Sequence, residues 1–342
     1  MIDARRAEFE FELPQQLEAH EPPEARGVER DGVRLLVTSR TSGSVAHAKF
    51  RDLPAFVRSG DVIVVNVSAT IPASLEARTE DGRELKLNLS TKLPGNLWTV
   101  EPRGVDLADR TPPARLALAA RASATLLIPY LGSKRFWVAA LDANGSMDDF
   151  LRAHGAPIGY SYLTRPWPIE TYQTVYAREP GSAEMPSAGR PFSLEVIERI
   201  RRKGATLAEL TLHTGVSSPE RDERPYEEWY SIPAETAARV NAARRFGGRV
   251  IAVGTTVVRA LESAADASGR IVASNGWTGL VITPSRGVRV ATALLTGFHE
   301  PRSTHLDMLE AFAGRSHVET AYRAALENAY LWHEFGDSHL IL

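Results

Sequence analysis

No cysteine occurs in the chain. That removes thiolate nucleophiles, disulfides, iron–sulfur clusters and cysteine-ligated zinc from the available chemistries. Any catalysis falls to His, Asp, Glu, Lys, Tyr or a bound cofactor. No apolar run approaches the roughly 18 residues that span a bilayer, and the opening MIDARRAEFEFELP lacks the apolar core of a secretion signal. The expected compartment is the cytoplasm, with no membrane partner. An excess of one charge is missing too: 40 Lys and Arg stand against 42 Asp and Glu, a net of −2, so no overall basicity announces nucleic acid. The local clusters Arg199, Arg201, Arg202, Lys203 and Arg244, Arg245, Arg249 read first as solvated helix faces. HExxH and GxSxG are absent, which leaves metalloprotease and α/β-hydrolase readings without support. His299 and His305, six apart across Pro301, make a poor metal arrangement, and no metal is expected.

What is present is an ordinary globular composition, 43% apolar and 24% charged over 342 residues, long enough for about two domains. The organising stretch is Arg249 to Ala265, RVIAVGTTVVRALESAA. Val250 to Val253 is a short apolar run between glycines, which predicts a buried central strand. Gly254 permits a sharp exit, Thr255 or Thr256 can cap a helix through a hydroxyl, and Val257, Leu261 and Ala264 recur at helical spacing. A helix N-terminus opening off a strand's carboxyl end is where open α/β sheets place anionic or nucleotide ligands. Arg259 and Glu262, three apart, share a helix face and are expected to pair or to reach a ligand. Gly-Thr-Thr is neither a Walker nor a GxGxxG signature, so spacing alone favours an ordinary βα unit.

Along the chain, strands are predicted at 34–37 and 62–65, with a short helix at 52–58 between them. From 75 to 140 the pattern changes to brief alternating strands: ELKLNLS after an Asp81-Gly82 hairpin signal, LWTVE, TLLI and FWVAA. These predict a small all-β barrel or sandwich inserted in the chain. A helix follows at 147–154, then a proline- and aromatic-rich irregular segment from Pro157 to Tyr176. From Ser193 onward strands and helices alternate: a helix to Lys203, a strand at 206–213, a helix at 233–246 and the organising unit. Strands at 280–283 and 288–295, helices at 305–312 and 318–331, and a final strand in EFGDSHLIL complete the pattern. The fold class is α/β, a mixed α/β main domain (1–69 and 151–342) around an inserted barrel (70–150).

Polar groups gather at predicted strand ends: Gln173, His213, Glu228, the Gly254-Thr255-Thr256 turn, Thr296, His299 and Asp337. Each has a plain structural alternative, since a histidine ending a strand is more often satisfied than catalytic. The motifs, however, resemble a family. FELP (11–14), FRDLPAFVRSGDVIVVN (50–66), YQTVYA (172–177), LHTG (212–215), VIAVGTTVVRALESA (250–264), LLTGFHEPRST (294–304) and FGDSHLI (335–341) stand in the order of the S-adenosylmethionine:tRNA ribosyltransferase-isomerase family of queuosine biosynthesis. The resemblance implies an α/β domain with an inserted β-barrel. It also implies that S-adenosylmethionine is a substrate, no metal is used, and the partner is a tRNA anticodon loop carrying 7-aminomethyl-7-deazaguanine. On this footing His213, with the acids Glu228 and Asp337, is the catalytic candidate. Gln173, Gly254, Thr255, Thr256, Arg259, Thr296, Phe298 and His299 are candidates for holding S-adenosylmethionine, with Phe298 or Trp277 to stack the splayed base.

Departures from the family pattern are expected to matter as much. Val67, Ala69 and Ser74 stand where the family has Asp and two Arg, and Pro191 where it has His. Val257, Tyr226, Gly279 and Gly297 replace Ser, His, Asp and Asn. Lost polar groups leave a base's donors and acceptors unanswered, which predicts slower turnover on the queuosine precursor. Two other readings fit the same losses: a paralogue using S-adenosylmethionine with another acceptor, and a non-catalytic nucleotide or tRNA binder.

Overall fold

The computed structural model describes residues 11–107, 112–216, 226–301 and 303–342. Residues 1–10, part of the stretch read against a secretion signal, lie outside them, as does Arg302 of LLTGFHEPRST.

Strands β1 (Arg34–Thr38), β2 (Val45–Lys49), β3 (Val62–Asn66) and β4 (Ser68–Thr70) come first. Six strands then form a barrel: β5 (Ser74–Thr79), β6 (Glu84–Leu93), β7 (Leu97–Arg103), β8 (Ala114–Ala117), β9 (Ser123–Pro129) and β10 (Trp137–Asp142). Helix α1 (Met147–His154), β11 (Glu179–Ser182), α2 (Leu194–Arg202), β12 (Thr206–Leu212), β13 (Glu228–Ile232) and α3 (Ala234–Arg245) follow. The chain ends through β14 (Val250–Val253), α4 (Thr255–Ser263), β15 (Ser274–Thr278), β16 (Ala293–Gly297), α5 (Thr304–Ala313), α6 (Arg315–Glu327) and β17 (Ser338–Ile341).

The main sheet has the order β15-β13-β12-β3-β14-β16-β17-β1-β2. Its centre, β12, β3, β14 and β16, is parallel; β17 runs antiparallel to β16 and parallel to β1. The apolar runs of the centre follow from burial on both faces. Val62 and Val64 enter one core beneath α3 to α6, whereas Ile63 and Val65 enter the other, with α2 and the 3₁₀ turn at Phe50–Phe56. Val250 and Ala252 divide from Ile251 and Val253 in the same way. At the amino ends of β3 and β14, Asp61 accepts the amides of Arg58 and Arg249 and meets Arg249 Nη2 at 2.6 Å. Burial alone raises the Asp61 pKa, but these partners outweigh it and hold the carboxyl below its usual range.

The barrel closes in the order β10-β7-β6-β5-β8-β9. Leu85, Leu87 and Leu89 of ELKLNLS all point into its core, as the period-two reading requires, and Gly82, at φ +87°, makes the β5–β6 turn.

Two strand expectations are overturned. Residues 280–283 form no strand, and the strand expected at 288–295 begins only at Ala293. These segments are apolar because they cover α4, and at Arg289 and Val290 the amides are met by a carboxylate instead of a neighbouring strand. Glu262 accepts from the Arg289 and Val290 amides at 2.7 and 2.8 Å and pairs with Arg286 at 2.9 Å. Pro284 brings no donor at all. Strands β2, β15 and β13, the last next to the β15 edge, were not foreseen: their sequences VAHAK, SNGWT and EWYSI lack a sustained apolar run.

His339 on β17 is fully buried, with Nε2 2.8 Å from Thr38 Oγ1, which His317 Nε2 also meets at 2.8 Å. Burial first and His317 second push its pKa down to about 3. The unfolded chain, titrating near 6.5, takes up a proton that the folded chain refuses, so stability is complete above pH 6.5 and declines as pH falls toward 3. This one group is expected to remove about 2 kcal/mol between pH 6.5 and 5. Urea unfolding at pH 7 and 5 checks it: His339→Gln should show a smaller pH dependence than the parent, and an equal one would place the effect elsewhere.

Candidate functional site

Because β12, β3, β14 and β16 are parallel, their carboxyl ends lie along one edge, where ligands sit in open α/β sheets. That edge carries Asn66, the His213-Thr214-Gly215 turn, Gly254 and the loop after Gly297. A cavity of about 660 Å³ opens there. Its floor is the Gly254–Thr256 turn and Thr296–His299; Arg103 of the barrel strand β7 and the 160–162 and 184–188 segments close the sides. The inserted barrel thus supplies one wall.

Gly254 takes φ +91° and its amide binds Leu295 O at 2.8 Å, which turns the chain from β14 directly into α4. Neither threonine caps this helix with its side chain; Gly254 occupies the cap position. The first-turn amides, which have no carbonyl partner in any α-helix, therefore face the cavity at Thr255 and Thr256, a setting suited to a carboxylate.

Arg259 and Glu262 do not pair with each other. Arg259 binds Glu228 through Nη1, and its Nε and Nη2 donate to Leu280 O and Thr278 O at 3.1 and 3.0 Å. Glu228 Oε1 accepts the Gly215 amide at 2.8 Å. Both side chains line the cavity, but each is occupied: the pair clamps β13, α4 and the LHTG turn together. The Arg259 guanidinium thus borders the cavity while it is held by three protein groups.

The cavity brings together two histidines that lie apart in sequence. His299 Nε2 is 3.0 Å from Thr296 Oγ1, and its ring stacks on His305 with centroids 4.6 Å apart and planes at 10°. Ser303 caps α5 and meets His305 Nδ1 at 3.0 Å, which folds His305 back toward His299. Burial, then the charges of His305 and His339, push the His299 pKa far down; burial and Arg259 bring His305 to about 4. Both imidazoles are neutral at pH 7, and the same burial makes each a weak proton acceptor. His305 was passed over as a site residue because a six-residue spacing across Pro301 has no periodicity; the Ser303 cap was the one available signal.

His213, Asp337, Gln173 and Trp277 fall outside the cavity. His213 turns toward Ser68, with Nδ1 2.8 Å from its Oγ, stacks on Trp229, and packs so tightly beneath Gly181 that a Cβ there would come within 2.5 Å of the ring. Burial lowers its pKa against an upward pull from Glu179. The chain His213–Ser68–Ser182 ends at the Thr214 amide, so His213 positions the turn. Asp337 accepts the Arg34 and Leu331 amides at 2.7 and 2.8 Å and pairs with the Arg34 guanidinium. Gln173 closes both ends of its amide on the Thr70 backbone. Phe298 lines the cavity but is 3% exposed, its ring packed on Trp332 and His339, so it offers no free face to a base. Trp277 is 40% exposed on β15, away from the cavity.

The departures from the family pattern lie mostly elsewhere as well. Val67 and Val257 are core residues, and Ala69 pairs β4 with β11. Ser74 exchanges backbone hydrogen bonds with Ala156. Among the described residues only Tyr226 and Gly297 of the eight border the cavity. Tyr226 packs on Phe136 of the barrel side, and open space lies before Gly297.

A family profile described as Queuosine biosynthesis protein matches residues 6–341. The chain is 40% identical over 343 residues to the S-adenosylmethionine:tRNA ribosyltransferase-isomerase of Thermus thermophilus, spanning 94% of this chain and 97% of that protein. It is 38% identical over 351 residues to the protein of the same name from Moorella thermoacetica, spanning 98% and 99%. A crystal structure of S-adenosylmethionine tRNA ribosyltransferase from Thermotoga maritima aligns with a TM-score of 0.56 at 30% identity, covering 98% of this chain and 100% of that one.

Removing one member of the Glu228–Arg259 pair strands the other charge in a buried place, at an expected cost of about 3–5 kcal/mol. Glu228→Ala and Arg259→Ala should each lower the urea midpoint accordingly, with Glu228→Gln milder. A loss under about 1 kcal/mol in both alanine variants would mean that the clamp is screened by solvent.

Proposed function

The chain belongs to the queuosine biosynthesis protein family, and we propose that it carries out the family's reaction in the cleft at the carboxyl edge of its sheet. It is an enzyme, an S-adenosylmethionine:tRNA ribosyltransferase-isomerase, with S-adenosylmethionine and tRNA as substrates. The observation that supports this reading most is the relation to such enzymes from end to end of the chain at up to 40% identity. The 660 Å³ cleft, with free helix amides at one side and paired neutral imidazoles at the other, suits it chemically.

In this reading the ribosyl group of S-adenosylmethionine passes to a 7-aminomethyl-7-deazaguanine in the anticodon loop of the tRNA and is isomerised to an epoxycyclopentanediol, while adenine and methionine leave. The compartment is the cytoplasm. The methionine carboxylate meets the Thr255 and Thr256 amides, where the helix end favours an anion. The sulfonium acidifies the neighbouring C5′ hydrogens, and an imidazole of the His299–His305 pair takes the proton; burial makes it a weak base, so the step depends on that acidification. His213 holds the LHTG turn, and the Glu228–Arg259 clamp fixes it against α4. Gly297 and Tyr226 border the space left for the acceptor, so its shape differs from that of relatives carrying Asn and His at these positions.

The test combines mass spectrometry of digested tRNA nucleosides with quantitation of adenine, starting from tRNA that carries the aminomethyl base. One adenine and one methionine should appear per modified nucleoside. His305→Ala should slow turnover by about 10²–10⁴-fold with tRNA affinity retained, as for loss of a positioned proton acceptor. Adenine release without tRNA modification would sink the acceptor assignment, and an unimpaired His305→Ala would remove the histidine pair from the mechanism.

A further inference from the structure

The cleft wall at Glu334 carries an electrostatic demand that the protein leaves unanswered. Glu334 lines the cavity, and its Oε2 is shut off from solvent with no hydrogen-bond partner among the described residues. Tyr162, which lines the same cavity, has an Oη that is likewise buried and unpartnered among the described residues. The two guanidiniums on the described cavity wall are engaged elsewhere: Arg103 pairs with Glu101 at 2.6 Å, and Arg259 with Glu228. Glu300, its side chain 61% exposed, adds a second carboxylate to the cavity wall, 3.6 Å from His333. Neither Glu334 nor Glu300 has a lysine or arginine partner among the described ion pairs.

The backbone is bent to bring Glu334 there. His333 stands at φ +74°, a left-handed conformation that costs a non-glycine residue on the order of 1 kcal/mol or more. It is held by a face-to-face stack on Tyr162, with centroids 4.0 Å apart and planes at 9°, by Glu18 at 3.3 Å, and by the Gly336 amide on its carbonyl. Tyr160 stacks on the other face of Tyr162. The strain is thus maintained by the surrounding packing, and its effect is to set the next residue on the cleft wall.

We propose that Glu334 receives a primary ammonium group of a substrate, a specificity contact on the cleft wall. The inference rests on the transferase-isomerase reading, whose two substrates each carry one such group: the aminomethyl of the deazaguanine and the α-ammonium of S-adenosylmethionine. An ammonium N–H supplies the hydrogen bond that Oε2 lacks, and its charge stabilises the carboxylate. Burial pushes the Glu334 pKa up to about 7, consistent with a carboxylate that has no cationic partner among the described residues.

Binding measurements test this independently of turnover. Glu334→Gln keeps the shape and removes the charge; its thermal melt should match or exceed that of the parent, and Glu334→Asp serves as the conservative control. Two affinities are measured for each protein: calorimetry with S-adenosylmethionine, and filter binding of tRNA carrying either the aminomethyl base or unmodified guanine. A tenfold or greater loss of S-adenosylmethionine affinity, with tRNA unaffected, assigns the methionyl ammonium. A tenfold or greater loss confined to aminomethyl tRNA, bringing it to the level of guanine tRNA, assigns the acceptor amine. Changes under twofold in both overturn the proposal. Failure of the parent enzyme to form modified nucleoside would instead count against the functional reading, and these affinities would still decide the role of Glu334.

Discussion

Burial of the central strands on both faces is the constraint from which the rest follows. β3, β12, β14 and β16 send alternate side chains into two separate cores, so along their length almost no position is left for a working polar group. Chemistry is confined to the strand ends. Since the four are parallel, their carboxyl ends and the turns that leave them converge on one edge, and a glycine at 254 lets a helix start there with its amides open.

An edge alone is a shallow surface. The barrel turns it into a cleft, because Arg103 reaches the cavity wall and the LHTG turn is fastened to the barrel through Val216 N and Ser90 Oγ at 2.9 Å. Water is displaced from groups that would be ordinary at a surface. Imidazoles at 299 and 305 stay neutral, and a glutamate at 334 resists ionisation. The same burial explains why the guanidinium of Arg259 is committed to Glu228: a charge in that setting has to be paired before it can serve any ligand.

The positions at which other residues were expected from the family resemblance look different once placed in space. Val67 and Val257, where an Asp and a Ser were expected, suggest a stripped pocket when read in line, yet both valines are packed in cores. The changes that border the cleft are Tyr226 and Gly297, which alter the room available without removing the helix amides or the paired histidines.

Much of the architecture was legible in the residues themselves. Uninterrupted β-branched runs at 62–65 and 250–253 signal strands buried on both faces, and alternation in ELKLNLS signals a one-sided barrel strand, because side-chain period follows directly from backbone geometry. The VGTT turn and the motif order likewise carried the family. Pairings between distant residues were not legible. Asp337 was read as catalytic and Gln173 as a ligand holder, but each saturates backbone or arginine groups far away in sequence. The 280–290 segment looked like strand because it is apolar, when Glu262 had already claimed its amides. Local pattern records what a residue does for its own element; which charge is answered and which carboxylate is left without a cation depend on groups dozens to hundreds of residues apart, and even His299 and His305, six apart, are brought together by the loop between them. Only the packed chain decides those.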